Sequence, residues 1–370
     1  MALPVLCITI VSTSLAEPFI PDSNDTIIAT WPTQDIASTL ASTSASQVNS
    51  LEKAIKTSQN LLERATQPGH SYLYGLAQTT LSPWVSGNFS NALLWVTWAR
   101  IQQQKHDFTG ALESLEKAIA LEPSNINAHL IVARTHIIQQ RYDLAKQACG
   151  AIIRTGDLLT SSVCNLEVTS HQGSLAGSYS SLKKLASGLR QNDSKTPWVN
   201  ANLADMAARQ GLWQESEEWL ETIYTEYDLS TLIEWADVKL ELEKYREVTT
   251  ILSAVVKRVP SSEDAILIRL ALAEQHLDDD LTPSWKQQVK ERVALREQRE
   301  DFYHANDLAI FYLDLEPNPE KALQWAEINW QHAREYKDEA LLMRAREMSS
   351  EPLSQNHSYS LSNEQPERHD

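Results

Sequence analysis

Ala99, Phe108, Ala111 and Ala118 recur thirty-four residues later as Ala133, Tyr142, Ala145 and Ile152, and this echo constrains the fold more than any other feature of the chain. A period of thirty-four, with small residues at fixed places and an aromatic three before the second of them, is the pattern of stacked helix pairs. The small residues have a mechanical role. With Ala99 on a first helix and Ala111 on a second, the two backbones can approach to roughly 8–10 Å between axes, and Phe108 fills the space beside them. Ala111, Leu115 and Ala118 then form one stripe at helical period, and Pro123 stands where the second helix must end. A single pair cannot bury its apolar face alone, so neighbouring pairs must stack.

The register is carried in full by Trp95, Trp98, Ala99, Phe108, Ala111, Leu115, Ala118 and Pro123, and again by Val132, Ala133, Tyr142, Ala145, Cys149 and Ile152. Leu203, Ala204, Trp213, Ser216, Leu220 and Ile223 follow it, as do Trp235, Ala236, Tyr245, Val248, Leu252, Val255 and Pro260. Between these, Leu166, Leu175, Ser178, Leu182 and Leu185 make a degenerate copy, and Ala309, Tyr312, Ala322 and Ala326 make a late copy whose turn is one residue longer. These residues resemble the tetratricopeptide repeat (TPR) superfamily over roughly residues 88–345. The resemblance implies an all-α fold: a right-handed superhelical solenoid of antiparallel helix pairs, about five to seven units, some of them degenerate. It also implies a scaffold that binds protein and does not catalyse. The stretch before residue 88 is similar to uncharacterised bacterial envelope repeat proteins.

The formal net charge of −17 argues against a nucleic-acid or anionic-membrane partner, because neutralising phosphates needs clustered Lys and Arg. The acidity peaks between Trp213 and Glu247, where eleven Asp or Glu face three Lys or Arg. That run reads as a solvated outer face, with a docking site for a basic partner as the alternative.

The chain opens with an apolar stretch ending in Ser14, Leu15 and Ala16, which suits signal-peptidase cleavage after Ala16 and is too short to span a bilayer. Residues 1–16 are therefore expected to be a signal peptide, giving a periplasmic or secreted protein. No Lys or Arg precedes the apolar run, the first cation being Lys53, so a cytoplasmic protein is the alternative. Residues 17–32 read as a flexible segment, 33–87 as amino-terminal helices forming a degenerate first unit or cap, 88–348 as the repeat domain and 349–370 as a disordered tail. In the cap, Leu51, Ile55 and Leu62 mark an amphipathic helix closed by Gln67–Pro68–Gly69–His70, and a short helix follows that should end before Pro83. Export would make Cys149 and Cys164 a candidate disulfide. Each lies seven residues from a turn at Gly156–Asp157, so the two sit at one height on antiparallel neighbours.

No constellation with metal-ligand spacing, phosphate loop or nucleophile elbow occurs, and no cofactor is expected. Function should lie on the concave face lined by first helices. The residue after each packing position is Arg100, Arg134, Glu167, Asp205 and Asp237 in order, so that face runs from positive to negative and would orient a segment of opposite polarity. Leu93, Val96, Leu130 and Ile137 are the apolar residues expected beside it. The leading reading is a non-enzymatic interaction scaffold of the bacterial envelope whose groove docks a protein segment. One alternative is an enzyme, or a metal or small-ligand receptor, around His171, Glu167 and Cys164 in the degenerate unit. The other is an assembly factor that self-associates through the solenoid ends.

Overall fold

The protein's structure is a computed structural model that describes residues 47–87, 89–190, 193–223, 228–259, 261–277 and 284–350. Residues 1–50 and 51–370 form two compact units, the first described only at 47–50, the opening turn of α1. The expected signal peptide, flexible segment and tail lie outside the described residues, as do Pro260 and Asp278 to Asp280.

Among the described residues there are seventeen helices and no strand. In chain order they are α1 (Gln47–Ala65), α2 (Leu73–Val85), α3 (Ala92–Gln104), α4 (Phe108–Leu121), α5 (Ile126–Ile138), α6 (Tyr142–Ile153), α7 (Leu158–Ser170), α8 (Leu175–Ser187) and α9 (Thr196–Ala208). There follow α10 (Trp213–Glu221), α11 (Leu229–Glu241), α12 (Tyr245–Val256), α13 (Asp264–Glu274), α14 (Trp285–Gln298), α15 (Ala305–Ile310), α16 (Pro319–His332) and α17 (Tyr336–Ser350). From α3 to α16 each odd-numbered helix packs against the next to make a unit, and first helices of most successive units also touch one another. This is the helical solenoid that the repeat register implies.

The pairs form for local reasons that repeat with the sequence. Ala99, Ala111, Ala118, Ala145, Ile152, Ala204, Ala236 and Ala309 are all fully buried, so the small-residue positions are the contact points between helices. Many helices open on an Asn or Asp whose side chain accepts from a backbone N–H three residues on: Asn91 from Leu94, Asp107 from Gly110, Asn125 from Ala128 and Asp157 from Thr160, at 2.9–3.0 Å. First helices end alike. His106, Gln140, Gly173, Gly211 and Glu243, each two residues before a second helix, all have positive φ. In four of these turns the next N–H reaches back five residues to a carbonyl, as in Asp107 to Gln102 (3.0 Å) and Arg141 to His136 (2.8 Å). The turn geometry fixes the angle at which each second helix leaves, independently of residue type.

Three departures from the sequence expectation have clear physical causes. Helix α2 runs through Pro83 to Val85 instead of stopping before it. The carbonyl that Pro83 leaves without its helical donor is that of Thr79, and the Ser82 hydroxyl donates to it at 3.3 Å. The extra residue of the late unit is absorbed inside the helix: Phe311–Leu315 is a π-turn, with Glu316 N–H donating to Phe311 O at 2.9 Å. Finally, α13 and α14 form a unit that carries no recognisable register. Ala271 and Val289 are eighteen residues apart where Ala99 and Ala111 are twelve, and α13 is buried nearly all round.

Cys149 on α6 and Cys164 on α7 lie at bonding distance with Cα atoms 5.5 Å apart, both buried. The acidic run around α10–α12 is more than a solvated face. Lys239 is 4% exposed and gathers Glu217, Glu221 (3.0 Å) and Glu247 (2.9 Å), with its ammonium 5.4 Å from the Trp235 ring centre. Burial opposes its charge, but these carboxylates outweigh it and raise the ammonium pKa.

The turn after α1 is bound far along the chain. Leu229 N–H donates to Thr66 O at 2.7 Å, and Gly69 N–H donates to both Glu263 carboxylate oxygens at 2.9 and 3.0 Å. Gly69 has φ +78°, and a Cβ there would stand 2.5 Å from Val259 Cβ and 2.7 Å from Ser261 O. The Gly69→Ala substitution therefore combines left-handed strain with overpacking and is expected to destabilise by about 2–4 kcal/mol, read as a fall in the urea midpoint at unchanged slope.

Candidate interaction face

Of the charged residues singled out on the first helices, Arg134, Glu167, Asp205 and Asp237 come into one charged network, with Arg100 apart from it, and that network is already engaged. Arg134 on α5 pairs with Glu167 on α7 at 3.3 Å and with Glu335 at 2.5 Å, in the segment joining α16 to α17. The backbone of that segment also docks: Arg334 N–H donates to Ile138 O at 3.1 Å. Two residues beyond Glu335, the Lys337 ammonium stands 3.8 Å from Glu234 and 4.0 Å from Asp237 on α11. Residues 333–338, the joining segment with the first turn of α17, thus form a strap whose Glu335 meets the positive part of the face and whose Lys337 meets the negative part.

The remaining face residues are paired from within the array. Asp205 accepts from Arg209 Nε at 2.8 Å, and Arg209 reaches on to Ser170 Oγ at 2.6 Å. Asp237 accepts from Arg269 at 2.7 and 3.2 Å, and Arg269, which is buried, also stands 3.5 Å from Asp307. Arg134 keeps 47% of its side chain exposed while making both its ion pairs, to Glu167 and Glu335. The Glu335 carboxylate is the main reason the Arg134 guanidinium is held above its usual range, burial opposing it. Glu167 and Glu234 are pushed up by burial first, eased by Arg134 and Lys337 respectively and aggravated by Asp205.

The apolar residues expected beside the groove divide. Leu93 is 45% exposed and available to a partner, and Leu130 is half-buried against the core around Ala133. Val96 and Ile137 must be corrected: both are buried core residues. Val96 lies three positions before Ala99 and Ile137 four after Ala133, so each shares the stripe of its packing alanine and turns inward with it. Arg100 is half-buried on α3, close enough to Tyr74 to act on its hydroxyl.

His171, Glu167 and Cys164 do not assemble into a reactive centre. Cys164 is tied to Cys149, Glu167 faces Arg134, and His171 Nδ1 lies 3.4 Å from Arg209 Nη1 with its ring stacked on Tyr142. The two described cavities are lined by other residues. Among the described residues, no three His, Cys, Asp or Glu converge to hold a metal ion, and no helix is long and apolar enough to cross a membrane. The strap is what sequence reasoning missed. Arg134 and Glu335 are two hundred and one positions apart in an otherwise local pattern, and only the unpaired polarity of the face hinted at an occupant.

No family model matches the chain, and no curated protein matches it. Solved structures similar to it include PilF of Pseudomonas aeruginosa, at 14% identity and a TM-score of 0.38, covering 62% of this chain and 99% of that one. A tetratricopeptide repeat protein of Parabacteroides merdae is similar at 12% identity and a TM-score of 0.37, covering 80% and 99%. The Cut9–Hcn1 hetero-tetramer of the APC/C is similar at 12% identity and a TM-score of 0.41, covering 85% and 60%. With superpositions this loose, the assignment of helix pairs and inner face rests on this chain's own contacts.

Burial, followed by the Arg209 charge, pushes the His171 imidazole down to about 4. Its unfolded value is about 6.5, so the unfolded chain binds the proton more readily. The stabilisation from keeping this ring neutral is complete above pH 6.5 and is lost as pH falls from there toward 4. The His171→Gln variant is expected to lose less stability than wild type between pH 7 and pH 4, by at most about 3 kcal/mol, measured as the difference between their melting temperatures across that range.

Proposed function

We propose that this protein is a non-enzymatic interaction scaffold of the bacterial envelope that docks a polypeptide segment on its first-helix face. The observation that supports this most directly is the seating of the strap. A short segment bearing Glu335 and Lys337 is held on that face by charges of opposite order, Arg134 at one end and Glu234 with Asp237 at the other. A partner of the same polarity engages Arg100 and the exposed Leu93 and exchanges with the strap at Arg134.

The test compares Arg100→Glu/Arg134→Glu with wild type in affinity purification from native cells after mild crosslinking. A specific partner is expected to be retained by wild type and lost from the variant by at least tenfold. Adding Glu335→Arg to the variant re-pairs the strap internally and controls for damage to the fold; recovery of structure without recovery of the partner is the expected result. Retention of the partner by the reversed protein would refute the groove.

The apolar amino-terminal stretch ending at Ala16 and the pairing of Cys149 with Cys164 together support an exported protein. The disulfide closes a separation of fifteen residues, for which chain-entropy arguments give about 3 kcal/mol. Protein purified from the periplasm is expected to lose this stability with dithiothreitol, whereas Cys149→Ser/Cys164→Ser protein shows no response to reductant; free thiols in freshly isolated wild type would refute the oxidised form.

A further inference from the structure

Where the strap meets the second unit, a cavity of about 300 Å³ is lined by His106, Asp107, Arg141, His332 and Arg334, with Gln139 among its remaining walls. The turn after α3, the turn after α5 and the end of α16 each contribute a cation or a titratable imidazole. His304 also faces His106, with ring centres 5.9 Å apart, and Glu335 acts on it from the strap.

The carboxylates nearby are otherwise engaged. Asp107 caps α4, accepting from Gly110 N–H at 2.9 Å and from Gln102 Nε2 at 3.2 Å. Glu335 is taken by Arg134. Arg334 uses Nε on Trp330 O at 3.2 Å, its guanidinium lies 5.9 Å from the Trp330 ring centre, and its side chain lines the cavity. Two buried polar atoms of the lining, His106 Nδ1 and Gln139 Oε1, have no hydrogen-bond partner. In a chain of net charge −17, this seam brings two guanidiniums and two imidazoles together around one carboxylate, Asp107, whose hydrogen bonds are to neutral donors, so cations outnumber anions in the lining.

We propose that this cavity binds a small tetrahedral oxyanion of the phosphate class, clamped between Arg141 and Arg334 and completed by His106 and His332. Arginine forks match such an oxyanion with paired N–H donors. Because Arg141 belongs to the array and Arg334 to the strap, the anion also fastens one to the other. Burial, then His304 and His332, holds the His106 imidazole below its ordinary value, so a bound anion draws a proton onto it and affinity rises as pH falls through the histidine range. This inference is independent of the docking reading.

The experiment is isothermal titration of the full chain with phosphate and with sulfate, at ionic strength held constant with sodium chloride. Saturable binding is expected, with the dissociation constant raised at least tenfold in Arg141→Ala and again in Arg334→Ala. Both side chains are exposed and neither variant is expected to unfold. Sulfate, whose charge does not change between pH 6 and pH 8, is expected to bind more tightly at pH 6, and that preference is expected to disappear in His106→Gln/His332→Gln. Phosphate bound in preference to sulfate at pH 8 would assign the site to phosphate itself. Heat that chloride alone reproduces, succinate binding as well as either tetrahedral ion, or unchanged affinity in the arginine variants would each overturn the proposal.

Discussion

Close approach of two helices at a pair of small residues is the contact from which the rest of the molecule follows. With Ala99 against α4 and Ala133 against α6 fully buried, each first helix is rotationally fixed. The residue after the packing position then always emerges on the same side. That is why Arg134, Glu167, Asp205 and Asp237 lie within electrostatic reach of one another even though consecutive ones are thirty-two to thirty-eight residues apart in sequence. A larger side chain at the contact would push the axes apart and turn these residues out of line before it cost much burial.

The same contact decides what could be read from the sequence. Units built on the twelve-residue spacing between small positions were legible because the turns that join their helices share a left-handed residue, at His106, Gln140, Gly173, Gly211 or Glu243, and four of the five close with the same backbone bond. The spacing thus reports a rigid geometry. Where the geometry changes, the pattern disappears: α13 and α14 are joined by a longer connection, and their unit left no trace. The late unit was legible but for one residue, and the π-turn at Phe311–Leu315 shows where that residue went. The period brings Arg134, Glu167, Asp205 and Asp237 together, whereas Val96 and Ile137 were misread because helical neighbours three or four apart share a face with the alanine they flank. Nothing periodic could reveal the strap, whose contacts depend on how far the array curves.

Charge on the inner face is arranged to be satisfied, and this distinguishes it from the acidic exterior. Arg134, Arg209, Arg269 and Lys337 stand among Glu167, Asp205, Glu234, Asp237 and Asp307. Removing any one cation leaves a partly or fully buried carboxylate without its ion-pair partner. Such networks add little net stability over apolar packing but penalise any rearrangement that separates partners. On the docking proposal, the same penalty would set selectivity: a competing segment would have to bring its own acid to Arg134 and its own base to Glu234 and Asp237, or leave a desolvated charge behind. An apolar helix laid on the same surface would bury these groups uncompensated and be rejected.

Two bridges make this solenoid unlike an ideal repeat array. In such an array each unit touches only its neighbours, and stability is close to a sum of unit and interface terms. Here Thr66 and Gly69, before the first strong unit, are bonded to Leu229 and Glu263, while Arg334 and Glu335, after the last, are bonded to Ile138 and Arg134. Each bridge joins positions that neighbour-by-neighbour unzipping would separate early. Fraying from either end must therefore break polar contacts in the middle of the array as well as the local interface, and the middle cannot open without freeing an end. The coupling converts a chain of weakly cooperative units into one cooperative body. Because the carboxy-terminal bridge is built from ion pairs and one backbone hydrogen bond, it is also the part of that body most readily altered by a competing charge.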